Sequence, residues 1–321
     1  MATVTDPTDL EHQKKICDDL RKFFGSAISD ASLEIYSAAG FEMSVEAARP
    51  FGDFVQWINT QPQFISEWRS EQKTEQTLYP RFMTVTDGVY WAYAAVCYHL
   101  VKIKEIEASV NEILSKYDFS KQFKTNYCAV FGNTRQLDFE YHAFVIAYRR
   151  CLDYLSWGFS TYFKQKQNSY NKFKKTLERA QPRFVAEALM AVYEKYIEKF
   201  SFVIGTERGQ SLRDRIGHSE FVQAATINVG PNGYRFVSVE ENLKMFDPHD
   251  NRSFSEILDG RALDLHKCIS EFLYVFRDSV MKFEETLPKP KFKGQSSTQY
   301  VYYNLGDGNL YLNIANGWRI S

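Results

Sequence analysis

The chain lacks the paired cysteines of a disulfide or zinc framework. Its five cysteines (Cys17, Cys97, Cys128, Cys151 and Cys268) are odd in number, widely spaced and without a CxxC pair. That is the usage of a reducing compartment, and it leaves all five as core or incidental thiols. An excess of charge of one sign is missing too. With 39 basic and 40 acidic residues the formal charge is −1, so no global field draws in nucleic acid, and a polyanion would have to meet a local patch. Long hydrophobic runs are absent. The longest, Val89 to Val101, falls short of the ~20 residues needed to cross a bilayer and contains His99. Met1 to Lys14 is polar and charged where a secretory signal would need an apolar stretch. The expectation is a soluble, cytoplasmic protein with no membrane partner. No phosphate-binding GxxxxGK loop, GxGxxG, HExxH or GxSxG pattern occurs, so nucleotide hydrolysis, dinucleotide chemistry, zinc proteolysis and α/β-hydrolase chemistry lack support.

What is present is apolar and aromatic. A chain of 321 residues with 44% apolar side chains is more than one helical domain needs, which predicts two units. The 26 Phe and 20 Tyr residues supply large buried areas, and most of them belong in a core.

The first third reads as helices over 9–24, 27–37, 44–69 with an interruption at Gln61-Pro62, and 85–117. In the last of these Ala94, Cys97, Val101 and Ile106 fall near helical spacing, followed by a solvated stretch with Lys102, Lys104, Glu105 and Glu107. His12 and His99 are lone histidines without a second ligand at i+4, so neither suggests a metal site. After a loop at Phe131-Gly132-Asn133-Thr134 comes a stronger helix. Tyr141, Phe144, Tyr148, Leu152, Leu155, Phe159 and Tyr162 line one face of it, and Val145, Ile146 and Trp157 widen that face. So broad an apolar surface needs neighbours on more than one side, from its own bundle or from a second protomer.

Between Lys164 and Arg183 lie seven basic residues and one acidic residue, Glu178, with Tyr170 and Phe173 interleaved. This is either a solvated connection or a surface for RNA phosphates with an aromatic available for stacking. A helix after Pro182 carries Val185, Ala188, Leu189, Val192, Tyr196 and Phe200. The last long helix starts near Ser253, an N-cap with Glu256 three residues on, and buries Ile257, Ala262, Leu265, Ile269, Phe272, Phe276 and Val280. Two β pieces interrupt the helices. One is a hairpin of Phe221 to Val229 and Tyr234 to Val239. The other, after the stiff linker 287–291, is Tyr300 to Leu305 and Asn309 to Ile314, a tail that must pack on something.

The chemically suggestive cluster is Arg213-Asp214-Arg215-Ile216-Gly217-His218. Residues five apart on an unbroken α-helix differ by about 140°, so Arg213 and His218 would not converge. Either the helix breaks at Gly217, or two chains contribute, a twofold pair setting two arginines and two histidines around one phosphate. Such a site could cleave an RNA phosphodiester by its own 2′-hydroxyl. Histidine can remove or supply protons at neutral pH, and the planar guanidinium of Arg213 can hold charge developing on phosphoryl oxygens. Asp214 could hold Arg215 or orient His218. Asp247 to Asn251 gathers oxygen and imidazole groups but is first of all a turn. Glu140 and His142, two apart on a helix, point in different directions. Arg149 and Arg150 are either a solvated edge or part of an RNA groove.

From Phe139 to Phe144, through Tyr148 to Leu155, and on to Leu212 to His218, the chain resembles the HEPN superfamily over about residues 135–285. That family's arginine, polar residue and spaced histidine map onto Arg213, Asp214 and His218. The resemblance implies a helical bundle that dimerises through the motif and, in active members, a metal-independent endoribonuclease, often of toxin–antitoxin or phage-defence systems. The expected architecture is mainly α. An N-terminal helical region spans 1–130, a HEPN-like bundle 131–286 with a β-hairpin insertion at 220–240, and a linker and β-hairpin tail 287–321. The expected enzyme needs no cofactor and no metal. Arg213, Asp214 and His218 are its catalytic residues, and Arg215, Arg149, Arg150, Lys172, Lys174 and Lys175 meet substrate. Its partners are RNA, a second copy of the chain, and an antitoxin or regulatory protein. The alternative is a catalytically inactive helical module that binds RNA or protein.

Overall fold

The computed structural model describes residues 18–19, 21–22, 25–60, 78–119, 129–131, 134–205, 210–219, 221–230, 233–238 and 253–286. These residues are mainly helical. The expected C-terminal hairpin, the 287–291 linker, His12 and the Asp247 to Asn251 turn lie outside them. Two compact units divide the chain: Met1–Gln61 with Leu287–Ser321, and Pro62–Thr286. Among the described residues no helix is long and apolar enough to cross a membrane.

In the first unit, helix α1 spans Ser26–Ala39 and α2 spans Val45–Thr60. Ser44 starts α2, its Oγ accepting the Ala47 N–H at 3.3 Å. Phe54 and Trp57 of α2 set their rings 5.5 Å apart.

The second unit is built around two long helices, α3 (Leu78–Leu114) and α4 (Arg135–Tyr162), packed side by side. Gly88 of α3 lets them approach closely, since a Cβ there would stand 3.1 Å from the Tyr154 ring of α4. His99 ties them further on, its Nδ1–H meeting Glu140 Oε2 at 2.7 Å. The expected boundary near residue 130 therefore moves. Helix α3 belongs with the bundle, because α4 needs it as a wall. The buried face of α3 also differs from the one read above. Val96, Leu100, Ile103 and Glu107 point inward, whereas Val101 is exposed.

Glu107 is not part of a solvated stretch. Its Oε2 accepts the backbone N–H of Ser255 at 2.9 Å, in the first turn of the last helix, α6 (Phe254–Glu285), where unpaired N–H groups favour a carboxylate. The same turn carries a complete capping box: Ser253 Oγ accepts the Glu256 N–H, and the Glu256 carboxylate accepts the Ser253 N–H. Between α4 and α6 sits α5, Arg183–Tyr196, which packs against α6.

The apolar face of α4 is covered within the chain. Tyr141, Phe144, Val145, Tyr148, Leu152, Leu155, Phe159 and Tyr162 are all buried, with Phe159 stacked on Phe272 of α6 at 5.6 Å and Tyr162 edge-on to Phe276. The neighbours this surface needs thus come from its own bundle, from α3, α6 and the short turns at 170–177 and 201–204. Only Ile146 and Phe139 of α4 stay open as large apolar side chains.

A three-stranded antiparallel sheet completes the unit, in the order β1 (Ala129–Phe131), β2 (Ala225–Gly230), β3 (Gly233–Ser238). Ala129 pairs with Val229 and Phe131 with Ile227; Ala225 pairs with Ser238. The segment before α4, read above as a loop from Phe131, thus begins as an edge strand. Residues 221–224 are not strand but a connection fastened to α4. His142 Nε2–H donates to the Val222 carbonyl at 2.6 Å, Ala224 N–H to the buried Asp138 at 2.8 Å, and Thr134 Oγ1–H to the Ala225 carbonyl at 3.3 Å. Glu140 and His142 thus each find a separate partner, with no shared ligand between them.

Candidate functional site

The Arg213 cluster lies on a short compound turn; upstream of it, Gly205, with a φ of +78°, ends the turn Ser201–Ile204. Leu212–Asp214 is one α-helical turn, and Arg215–Ser219 continues as a π-helical turn. Ser211 starts it from a buried position. Its Oγ accepts the Asp214 N–H at 3.0 Å and donates back to Asp214 Oδ2 at 2.7 Å. The sequence signal for this cap is the Ser211-x-x-Asp214 spacing of a helix start.

Asp214 uses its other oxygen on the neighbouring arginine, with Arg213 Nη1 donating to Oδ1 at 2.9 Å. It was expected to hold Arg215 or orient His218; it holds Arg213 and Ser211 instead. The Ser211 hydroxyl, and after it the Arg213 guanidinium, pull the Asp214 carboxyl below the usual carboxylate range, with Arg149 adding to the effect. The pair is half open to solvent, 43% for Arg213 and 47% for Asp214, and His218 is exposed.

An i→i+5 turn winds more residues per turn than an α-helix, so Arg213 and His218 stand less than the about 140° of an unbroken α-helix apart. No break at Gly217 is involved. That glycine lies within the turn without a left-handed φ, and a Cβ on it would meet nothing within 4 Å.

The expected substrate contacts separate. Arg149 is only 13% exposed and fully engaged: Nε donates to Asp153 Oδ2 at 2.9 Å, Nη1 to the Val203 carbonyl at 3.1 Å, and Nη2 to Ser169 Oγ at 3.3 Å. Asp153 in turn accepts the Tyr170 N–H at 2.9 Å. Arg149 is therefore a brace that joins α4 to the chain on either side of α5 and sits within electrostatic reach of Asp214. Arg150, one residue on and about 100° around the helix, bonds Tyr154 Oη with two nitrogens at 3.0 and 2.8 Å. It faces a groove of about 670 Å³ between α3 and α4, which Trp91 and Ile146 also line. The two arginines cannot line one RNA groove.

The basic segment keeps its charge on the surface and loses its aromatics to the core. Lys172 and Lys175 are exposed, Lys174 pairs with Glu194 at 2.8 Å, and Arg183 pairs with Glu187 and caps the carbonyls of Leu177 and Glu178. Tyr170 and Phe173 are fully buried, their rings packed against Tyr193 and Phe272. Neither can stack on a base. Arg215 is half-buried on the π turn beside the site.

Cys97, Cys151 and Cys268 are free thiols, and burial pushes the Cys97 thiol up to about 11 and those of Cys151 and Cys268 well above the ordinary thiol range, so they are not nucleophiles near neutral pH. Among the described residues no group of three or more His, Cys, Asp or Glu side chains is placed to hold a metal ion. No protein-family model matches this chain, and neither curated proteins nor solved structures yield a match.

Proposed function

We propose that this chain is a HEPN-type endoribonuclease: a helical bundle with a hairpin insertion that cleaves RNA by attack of the 2′-hydroxyl on the adjacent phosphate, in the setting of a toxin or phage-defence effector. One observation carries the reading. A half-exposed arginine and an exposed histidine share one short α-to-π turn, with the arginine held by the adjacent, serine-fixed carboxylate.

In this reading neutral His218 takes the 2′-hydroxyl proton as the 2′-oxygen bonds to phosphorus. The bond from phosphorus to the 5′-oxygen breaks, and the leaving oxygen takes a proton from an imidazolium. The products are a 2′,3′-cyclic phosphate and a 5′-hydroxyl, with no water consumed. Arg213 stabilises the charge that builds on the phosphoryl oxygens, and Asp214 fixes the guanidinium for that purpose. One histidine cannot both hold and lack a proton in a single step, so the same turn of a second copy supplies the second proton carrier. Arg215, Lys172 and Lys175 contact phosphates; Arg149 helps keep Asp214 ionised.

The test is cleavage of total RNA by the purified protein in EDTA, beside His218→Ala and Arg213→Ala proteins with unchanged circular dichroism. The expected result is cleavage with 2′,3′-cyclic ends in the parent protein and a loss of at least about 10²-fold in both variants. Absence of cleavage, or cleavage that survives either substitution, would leave the inactive RNA- or protein-binding module. Sedimentation at micromolar concentration addresses the second copy, and a monomeric mass in an active preparation would remove it.

A further inference from the structure

We infer that Phe139 and Phe221, with Arg135, form a stacking site for bases of single-stranded RNA beside the His218 turn. The inference deepens the nuclease reading and rests on it for the class of ligand. With Tyr170 and Phe173 buried, aromatic surface for RNA must come from elsewhere. Phe139 is 59% exposed and Phe221 49%, although half-open phenyl rings are costly in water. Their rings lie edge to face, 6.3 Å apart at 89°. The Arg135 guanidinium sits 4.9 Å over the Phe221 ring, and the His142 ring is 4.9 Å from it, tilted by 58°.

Three features commit this patch to RNA. Phe221 is three residues past His218 in the chain, so their backbones stand within about 11 Å of each other, the reach of one or two nucleotides. Arg135 adds a cation of the kind that pairs with phosphate or stacks on a base. The patch is also small. Two half-exposed phenyl rings offer on the order of 200 Å², well short of the ~800 Å² that a stable protein partner covers.

The site is rigid. Val222 and Ala224 are bonded to His142 and Asp138 of α4, the helix that also carries Phe139, so Phe221 is held in register with its neighbour. Stacking on a fixed ring loses little to ordering, which suits a non-specific, sequence-tolerant contact.

The test separates binding from cleavage. A labelled 2′-O-methyl oligoadenylate, which lacks the attacking hydroxyl, is titrated by fluorescence anisotropy in EDTA at low salt. The proteins are the parent, Phe139→Leu/Phe221→Leu, and Phe184→Leu, a comparably exposed phenylalanine on α5. Leucine keeps apolar bulk and removes the π face. The expected result is about tenfold or greater weakening in the double variant and none in Phe184→Leu. An abasic oligomer of the same backbone should bind the parent as weakly as the double variant does, and should not distinguish the two proteins. Equal affinity of parent and double variant, or failure of the parent to bind, would overturn the inference. Loss of binding in the double variant without any RNA cleavage by the parent would keep the stacking site and remove the nuclease; cleavage with unchanged binding would do the reverse.

Discussion

Arg149 and Arg150 are adjacent in sequence and opposite in consequence. Replacing Arg149 by alanine strands Asp153 and frees the Val203 carbonyl. Urea denaturation should show a loss of about 2–3 kcal/mol that lysine does not recover, because a point charge cannot reach three acceptors. Arg150→Ala at the exposed rim should cost less than about 0.5 kcal/mol. Asp214 makes a prediction in pH. Its folded carboxyl titrates below the ordinary range, so its contribution to stability is present above about pH 4 and is lost as pH falls through the lowered value. The difference in stability between the parent and Asp214→Asn should therefore hold level from neutral pH to about pH 5 and shrink below pH 4; a constant difference down to pH 3 would contradict the assignment. The residue types of the cluster were visible in the sequence, because arginine, aspartate and histidine announce their chemistry. Of the groups that act on them, Ser211 was legible from its spacing to Asp214, whereas Arg149 was not, since its place is set by bonds to Val203 and Ser169, which lie far along the chain.

The long helices were largely legible because burial imposes a 3.6-residue period on α4, α5 and α6, and the Ser253/Glu256 spacing marks a helix start by local chemistry alone. The face of α3 was misassigned for a reason specific to that helix. It is lined by aromatic and small residues on several sides, and its one buried carboxylate looks like a surface charge until the first turn of α6 is placed over it. Glu107→Gln should cost about 1–2 kcal/mol in thermal or chemical unfolding, since the charge facing the helix N-terminus is what it removes. Gly88→Ala should cost about 1–3 kcal/mol by pressing on the Tyr154 ring. Gly217→Ala should leave stability unchanged or raise it by up to about 1 kcal/mol, because the turn there asks nothing of glycine. The π turn itself had no sequence signal, as five residues with no distinctive pattern select it only in context.

At the scale of the molecule, the division falls before α3 and not after it. A fragment of residues 62–286 should unfold in one cooperative transition, whereas 131–286 should give no native near-UV signal, for it leaves one wall of α4 in water. The boundary was misplaced because a loop of polar residues looks like a linker whether or not the helices on its two sides share a core. The bond between Glu107 and Ser255 joins positions 148 residues apart. During synthesis, which proceeds from the N-terminus, α3 and α4 emerge and pair long before α6 exists. The inward carboxylate of Glu107 then waits at the open end of the bundle without its N–H donor. Chains truncated before residue 255 would thus carry a solvent-seeking charge on the surface that α6 should seal, which gives the unfinished protein a reason to stay loose until its last helix arrives.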